Sequence, residues 1–566
     1  DIYNDLLIRL IIDTSDAKRD FASAPVWLKK LCVAFADGVN YFLYNHPGIK
    51  PALLTQFQPW YPFLWTDGSI GAIKTAGMGA ANLRDFYDSA KSVTRLHRKG
   101  AVEEATGSNG FAFAPSITSS HHAILYINPH VTFYFRPEIH MASNEGLNAY
   151  GAVTWGQFFV YQGFNQHCAW MHTSSEVDVA DSYLEKISFQ SGNYFYTYEH
   201  ESRPVVEKKI TIVYKAGDSM KHRIFTGYFT HHGPVMGRSG NQWISVRSYN
   251  RSLNGLMQCW LRTKTTSFKD FKKVLDLRGN VSNNTVYADA EGNIAYWHGN
   301  YVPVRDTAFD WSMPVDGSTA ATEWKGIHAI DQIIHVYNPA NGWLQNCNSS
   351  PFSAAGQNSP KKQDFPKYMA PDGENFRSVT ATRILAAEKN YTIDKVIAKG
   401  YDRHLAAFDQ LVPALAAAWA QAAADDSLNN KLREPVKILM EWDRNSGAKS
   451  VATNLAIEWG QRLLRDIIHP RDGFAGDFVA KTEHFARTAT ADQLLLPLAA
   501  AVDAMKARWG RWDMPWGEIN RYQRNTGEIR ERYDDAVPSL PVGFASSLWG
   551  QIPSYASIFF PGTKHR

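Results

Sequence analysis

Two short apolar runs near residue 110 constrain the fold of this chain most strongly. Residues 111–114 (Phe-Ala-Phe-Ala) and residues 123–127 (Ala-Ile-Leu-Tyr-Ile) are each apolar without a break, and a segment rich in serine separates them. Continuous apolar runs of about four to eight residues, bounded by turn-forming residues, are typical of buried β-strands. We therefore predict a pair of buried strands that is joined by a polar turn.

A serine stands at the start of the first predicted strand, in the sequence Gly107-Ser108-Asn109. If the peptide bond before it is cut, Ser108 acquires an α-amino group, whose ordinary pKa of about 7.7 to 8.0 leaves a fraction neutral near pH 7. A neutral amine beside its own hydroxyl can serve as a general base and activate that hydroxyl as a nucleophile. Gly-Ser-Asn is also an ordinary turn sequence, so these residues alone leave both interpretations open.

Five segments, in order along the chain, resemble the penicillin acylase family of N-terminal-nucleophile (Ntn) hydrolases. They lie within a similarity that runs from about residue 30 to about residue 390, and they are residues 108–130, 163–173, 232–235, 286–296 and 338–351. The motifs Asn128-Pro129-His130 and Gln345-Asn346-Cys347-Asn348 look closest to the branch of acyl-homoserine lactone acylases and aculeacin-type acylases. The resemblance implies an α+β fold, the αββα sandwich of Ntn hydrolases with an additional helical lobe.

The resemblance also implies an activity, which is hydrolysis of N-acyl amides through an acyl-enzyme at Ser108. Members of the family are made as precursors that cut their own chain, so we expect cleavage between Gly107 and Ser108, with the two pieces staying associated. The implied substrate is a small N-acyl amide, an acyl-homoserine lactone or a related compound, and the implied location is periplasmic or secreted. A β-lactam or acyl-peptide acylase is the first alternative, and an inactive binding relative that keeps the fold is the second.

The catalytic positions that the resemblance implies are Ser108, His130, Ser174, Asn348 and Arg377. Ser108 is the nucleophile, and His130 lies near it and helps to position it. The backbone N–H of Ser174 and the side chain of Asn348 are the donors to the oxyanion, and the loss of such a donor costs about 10² to 10³ in rate. Arg377 orients Asn348 or meets a substrate carboxylate. A turn histidine, two loop residues and an arginine at a helix start would explain the same residues without any catalytic role.

Asp178 and Asp181 have the spacing of a calcium-binding pair in the same family, and Asp364 is a candidate third ligand. Calcium prefers carboxylate oxygens of this kind. The resemblance thus implies a structural calcium ion, whereas the chemistry itself requires no cofactor.

The chain has 566 residues, which is more than one compact core usually supports, so two or more lobes are expected. We predict a helical segment like the family's α chain over 1–107, a strand-rich catalytic core over 108–377, a helical lobe over 378–520, and a return to the core over 521–566. Relative to the family, both ends are expected to be short. Further strands are predicted at 131–135, 194–198 and 210–214, a turn at 290–293, and a helix start at Thr392.

Composition excludes some classes of function. A net charge of +4 on so long a chain does not indicate nucleic-acid binding, which needs a concentrated basic surface. No apolar run is long enough to predict a membrane span, and the first residues lack the features of a signal peptide, which either was removed or never existed. The four cysteines are scattered, so they form one disulfide or are buried as small apolar residues.

The acyl group of a substrate would need an apolar pocket. Phe133, Phe135, Phe158 and Phe159 are candidates for its lining. Core packing explains these four aromatic residues equally well.

Overall fold

The computed structural model describes residues 2–64, 74–88, 107–131, 136–249, 253–281, 283–421, 427–528, 531–555, 559 and 562–565. The α-helices are α1 (Ile2–Ile11), α2 (Thr14–Ser23), α3 (Val26–Asn45), α4 (Ala80–Asp88), α5 (Leu253–Arg262), α6 (Phe268–Leu275), α7 (Phe376–Ala386), α8 (Ile393–Gly400), α9 (Phe408–Gln421), α10 (Ser427–Glu441), α11 (Val451–Ile468), α12 (Phe478–Thr488), α13 (Ala491–Trp509) and α14 (Trp516–Ile519). Among the described residues, none of these helices is both long enough and apolar enough to cross a lipid bilayer.

Most of the strands fall between Ser108 and Asn346. They are β1 (Ser108–Phe113), β2 (Ile124–Pro129), β3 (Glu138–Ser143), β4 (Leu147–Val153), β5 (Val160–Asn165), β6 (Cys168–Ser174), β7 (Ala180–Gln190), β8 (Asn193–Tyr198), β9 (Glu201–Pro204), β10 (Val206–Ala216), β11 (Ser219–Phe229), β12 (Val235–Ser239), β13 (Gln242–Ser248), β14 (Asn283–Asp289), β15 (Ile294–Trp297), β16 (Val315–Asp316), β17 (His335–Tyr337), β18 (Trp343–Asn346), β19 (Arg521–Tyr522) and β20 (Leu540–Pro541).

The two apolar runs near residue 110 form the antiparallel strands β1 and β2, which confirms the predicted pair. β1 lies at the centre of a three-stranded sheet of order β18-β1-β2. Ser108 stands opposite Pro129 at one end of this sheet, and Gly110 stands between Ile127 on one side and Asn346 on the other. Every residue of β1 is buried, which is why the strand reads as a continuous apolar run.

Four layers stack around β1. Helices α7 and α8 cover one face of the three-stranded sheet, where Ile384 and Leu385 pack against Phe111 and Phe113. The other face packs on a seven-stranded sheet of order β17-β15-β14-β6-β5-β4-β3, and helices α5 and α6 cover the far face of that sheet. The order of layers is helix, sheet, sheet, helix, so the α+β class predicted from the sequence is confirmed.

Gly110 allows the two central sheets to approach closely. A Cβ atom at this position would overlap the side chain of Met171 in β6 and come within 3.1 Å of Val286 in β14. The missing side chain therefore lets the strand that begins at Ser108 lie directly against β6 and β14.

The rest of the chain surrounds this sandwich. A mixed sheet of order β12-β13-β7-β8-β9, joined by β16, lies beside the long hairpin of β10 and β11. Helices α9 to α13 pack together around a core that includes Leu411, Trp459 and Leu498. The division of the chain into four segments stays a prediction.

Several local expectations can be compared with the structure. Strands β8 and β10 cover residues 194–198 and 210–214, and residues 290–293 connect β14 to β15, all as predicted. Thr392 caps α8 by accepting a hydrogen bond from the backbone N–H of Lys395. The strand expected at 131–135 falls largely outside the described residues. All four cysteines are buried and free, so the disulfide alternative is wrong.

Candidate active site

Ser108 is the first residue of β1, and its nitrogen, hydroxyl and carbonyl oxygen all form hydrogen bonds. In the continuous chain its nitrogen is an amide, which donates a hydrogen bond of 2.6 Å to Oδ1 of Asn348. Its hydroxyl donates to the carbonyl oxygen of Gly107 at 2.7 Å. Only 6% of the residue is exposed. The serine is therefore fixed at a buried strand end rather than in a mobile turn.

The carbonyl oxygen of Gly107 accepts a second hydrogen bond, from the backbone N–H of His130 at 2.7 Å. Two donors thus polarise the peptide bond between Gly107 and Ser108. No side chain fits at position 107, because a Cβ atom there would overlap Oδ1 of Asn348 and lie 2.9 Å from Nη2 of Arg377. Glycine is the residue that the packing requires immediately before the serine.

Asn348 connects the serine to the end of β6. Its backbone adopts a left-handed conformation with φ of 59°, which asparagine tolerates better than most residues. Its Nδ2 donates a hydrogen bond of 2.9 Å to the carbonyl oxygen of Ser174, and its Oδ1 accepts from Ser108. The predicted oxyanion donors Asn348 and Ser174 therefore lie together beside Ser108. In this structure Ser174 contacts Asn348 through its carbonyl oxygen.

Two further asparagines hold the unusual backbone of Asn348. Asn346 accepts the backbone N–H of Asn348 on its Oδ1 at 2.9 Å. Asn375 donates from Nδ2 to the carbonyl oxygens of Cys347 and Asn348 at 3.0 and 3.1 Å, while its own Oδ1 caps helix α7 by accepting the N–H of Ser378. The start of α7 and the loop after β18 are therefore locked to each other.

Arg377 follows this helix cap and reaches into the site. Its Nη1 donates to Oδ1 of Asn109 at 2.9 Å and to the carbonyl oxygen of Ser108 at 3.2 Å, and its Nη2 donates to Oδ1 of Asn348 at 3.0 Å. Burial lowers the pKa of the guanidinium from its ordinary value. Arg377 forms no ion pair with a carboxylate among the described residues, so its positive charge acts on the polar atoms around Ser108.

The imidazole of His130 lies beside Asn109 rather than against the serine hydroxyl. Its Nε2 is 2.9 Å from Oδ1 of Asn128 and 3.2 Å from Nδ2 of Asn109. Burial and the positive charge of Arg377 lower the pKa of His130 from 6.5 to about 3, so the ring is neutral near pH 7. The structure thus brings His130 to the site, where its backbone contacts Gly107 and its ring contacts Asn109 and Asn128.

Asn109 joins four parts of the chain. Its Oδ1 accepts from Arg377, and its Nδ2 donates to Oδ1 of Asn128 at 3.0 Å and to the carbonyl oxygen of Ile552 at 2.7 Å. The residue is fully buried. Its bond to Ile552 attaches the start of β1 to the segment that contains Ile552.

Asp178 and Asp181, the expected calcium pair, lie together against Arg305. The Nε of Arg305 donates to Oδ2 of Asp181 at 2.6 Å, and its Nη2 donates to the backbone carbonyl of Asp178 at 2.9 Å. Asp364 lies in an exposed turn, and within the described part of the chain these three carboxylates do not converge as a metal-ligand group. The buried guanidinium of Arg305 already pairs with both carboxylates of Asp178 and Asp181. Calcium at Asp178, Asp181 and Asp364 stays a prediction.

The aromatic residues considered for the acyl pocket divide into two pairs. Phe133 and Phe135 lie outside the described residues. Phe158 and Phe159 are buried in a cluster with Leu28 of α3, which is ordinary core packing.

Comparison of the sequence with known protein families identifies the family of this chain. The profile of the family described as penicillin amidase matches residues 1–543. The chain belongs to the penicillin amidase family.

Two relatives illustrate its similarity to other members. It is 26% identical over 263 residues to the penicillin G acylase of Escherichia coli, a match that covers 44% of this chain and 30% of the relative. It is 22% identical over 550 residues to the acyl-homoserine lactone acylase QuiP of Pseudomonas fluorescens, which covers 87% of this chain and 65% of that enzyme. The chain therefore spans between about a third and about two thirds of the length of these curated relatives.

A solved structure supports the same fold. The thermostable penicillin G acylase from Alcaligenes faecalis matches with a TM-score of 0.57 at 19% identity, over 72% of this chain and 81% of that one. This match shows that the two chains share a fold, so the predicted Ntn-hydrolase fold is confirmed.

Sequence reasoning missed several residues of this site. Asn109, Asn346 and Asn375 each sit within or next to a motif that resembles the penicillin amidase family, so their position in those motifs was an available signal. Asn284 and Thr173 donate hydrogen bonds to Oδ1 of Asn346 from separate strands. Thr173 ends the family-like segment 163–173, whereas no local pattern marks Asn284.

Proposed function

We propose that this penicillin amidase family member is an N-acyl amide hydrolase that uses Ser108 as an N-terminal nucleophile after cutting its own chain. The observation that carries the proposal is the 2.6 Å hydrogen bond from the nitrogen of Ser108 to Oδ1 of Asn348. A free α-amine at this position would be held by the same acceptor, next to the hydroxyl that it must deprotonate.

Self-cleavage begins with attack of the Ser108 hydroxyl oxygen on the carbonyl carbon of Gly107. The C–N bond breaks, the acyl group passes to Oγ as an ester, and the nitrogen of Ser108 takes a proton and becomes a free amine. Water then hydrolyses the ester and releases the carboxylate of Gly107. The backbone N–H of His130, 2.7 Å from the carbonyl oxygen, supports this step because it stabilises the negative charge that develops there.

Amide hydrolysis uses the same oxygen atom. The neutral α-amine takes the proton of Oγ, which attacks the acyl carbon, and the proton is passed to the departing amine. Water hydrolyses the acyl-enzyme ester in a second step. Asn348 donates from Nδ2 to the oxyanion after this group turns away from the carbonyl of Ser174, the N–H of Ser174 is the second donor, and the charge of Arg377 supports both.

For the substrate we propose an acyl-homoserine lactone or a related N-acyl amide, because acyl-homoserine lactone acylases recur among the relatives. The penicillin G acylase relative favours a β-lactam as the second candidate, and acyl peptides belong to the same alternative. A periplasmic or secreted location and stable association of the two pieces complete the proposal.

The deciding experiment is an intact mass measurement of the purified protein under denaturing conditions. We expect an amino-terminal piece that ends at Gly107 and a second piece that begins at Ser108. The variant Ser108→Ala should remain a single chain of 63.7 kDa, because it lacks the nucleophile for cleavage. Normal cleavage in that variant would refute the mechanism.

Substrate assays separate the candidates. Release of amine from a medium-chain acyl-homoserine lactone should exceed release from penicillins. The reverse preference would favour the β-lactam alternative. Binding of either compound without any acyl-enzyme mass would indicate an inactive relative that keeps the fold.

A further inference from the structure

Two adjacent histidines and a glutamate converge on one point far along the chain from Ser108. His231 and His232 occupy the turn between β11 and β12, and Glu323 follows the short 3₁₀ turn Ala320–Thr322. Nε2 of His231 is 2.9 Å from Oε1 of Glu323, and Nε2 of His232 is 3.1 Å from the same oxygen. In the part of the chain that the structure describes, no other three histidine, cysteine or acidic side chains bring their ligand atoms so close together.

The chemistry of these three atoms is that of a metal site. Two imidazole nitrogens and one carboxylate oxygen lie within 4.8 Å of one another, a spacing that a single ion can bridge. Zinc binds such ligands at about 2.0 to 2.2 Å, and imidazole with carboxylate suits zinc better than calcium or magnesium.

His232 is already oriented as a metal ligand would be. Its Nδ1 is 2.8 Å from Oε1 of Glu185, and its ring stacks on that of Tyr183 with a centroid separation of 3.7 Å. Glu185 is fully buried and accepts further hydrogen bonds from Ser245 and Thr230. A carboxylate behind the distal nitrogen of a histidine fixes its tautomer and leaves the lone pair of Nε2 pointing toward the ion.

The side of the cluster formed by His231 and Glu323 is open to solvent. The side chains of His231 and Glu323 are 26% and 24% exposed, so solvent reaches the point where the three ligand atoms meet. Arg247 donates to Oε2 of Glu323, which leaves Oε1 as the ligand oxygen and makes binding through one oxygen the expected geometry. Water can supply the remaining ligand from the exposed side.

We propose that His231, His232 and Glu323 bind a zinc ion, with Glu185 as the residue that positions His232. The ion would tie the β11–β12 turn to the segment at Glu323, 91 residues further along the chain. Its role is structural, and the proposal does not depend on the chemistry at Ser108.

The test measures metal binding by the purified full chain after removal of metals with a chelator. Titration with Zn²⁺ in a calorimeter should show one equivalent bound, and Zn²⁺ should raise the melting temperature. Substitution of Co²⁺ should produce visible absorption bands from the bound ion. The variants His231→Ala and Glu323→Gln change partly exposed side chains, and each should abolish all three signals.

Two further variants test whether zinc binding is specific to the proposed site. His140→Ala removes an exposed histidine of β3 whose Nε2 lies 2.7 Å from Oδ1 of Asn148, and it should bind Zn²⁺ as the unmodified chain does. Glu185→Gln should weaken binding by about 10- to 100-fold without removing a ligand. If Zn²⁺ does not bind, or if it still binds after His231 and Glu323 are both changed, the cluster is only a network of charges and the proposal is wrong.

Discussion

Oδ1 of Asn348 lies 2.6 Å from the nitrogen of Ser108 and accepts its hydrogen bond. The same oxygen accepts a second bond from Nη2 of Arg377 at 3.0 Å. One atom therefore links the proposed nucleophile, the proposed oxyanion donor and a buried cation. Because the three residues share this contact, the effects of changing two of them together should not equal the sum of the single changes.

Replacing Asn348 by alanine tests the oxyanion donor. We expect Asn348→Ala to be cleaved at the correct bond, because the carbonyl of Gly107 keeps its bond from the backbone of His130. Turnover of an N-acyl amide should fall by about 10² or more. Intact mass and steady-state kinetics measure the two effects separately, and near-normal turnover would place the donor elsewhere.

Replacing Gly107 by alanine tests the packing before the serine. The new Cβ would overlap Oδ1 of Asn348, so Gly107→Ala should displace that side chain and slow self-cleavage by at least about tenfold. The time course of uncut chain, followed by mass spectrometry, measures this rate. Gly48→Ala is a matched control, since a Cβ atom at residue 48 meets no other atom within 4 Å, and it should be cleaved at the normal rate.

Replacing Arg377 by lysine separates the two roles that sequence reasoning left open. Lysine keeps the charge but loses the planar fork that reaches Asn109 and Asn348 together. If Arg377 orients Asn348, Arg377→Lys should lower kcat by about tenfold or more and leave KM nearly unchanged. A rise in KM for acidic substrates alone would show instead that the guanidinium meets a substrate carboxylate.

The neutral ring of His130 predicts a pH dependence of stability. Its pKa is about 3 in the folded chain, against an ordinary value of 6.5, so the unfolded chain binds the extra proton first. This contribution to stability is complete above pH 6.5 and is lost as pH falls toward 3. Relative to His130→Gln, the unmodified chain should lose on the order of 1 kcal/mol or more of unfolding free energy across that range.

Denaturant unfolding of both proteins at several pH values checks this expectation. A difference that stays constant with pH would mean that the pKa of His130 is the same in the folded and the unfolded chain. Self-cleavage should continue in His130→Gln, because the contact with Gly107 comes from the backbone.

Local sequence was sufficient to predict strands β1 and β2 and the cap of helix α8. Phe111 and Phe113 are buried on one face of their sheet and Ala112 on the other, so their run was recognisable without any knowledge of their partners. Thr392 caps its helix through a bond to a residue only three positions away. The motifs around Ser108 and Asn348 lie far apart in the chain, and the family resemblance supplied the link between them.

Long-range polar contacts could not be predicted in this way. Asp178 and Asp181 look like ligands for a cation, and the cation beside them is Arg305, more than 120 residues away in the sequence. The ring of His130 turns toward Asn109 and Asn128 because burial leaves those amides as its partners. Nothing in the order of residues specifies which buried polar groups will satisfy one another.

The bond from Asn109 to the carbonyl of Ile552 spans 443 residues of sequence. During synthesis, the strand that carries Ser108 leaves the ribosome long before this partner exists, so its polar surroundings are incomplete until the chain has been made past residue 552. A chain ending before Ile552 should remain uncut, and one that includes it should mature. Self-cleavage would then begin only after the segment that contains Ile552 has been synthesised and has folded against β1.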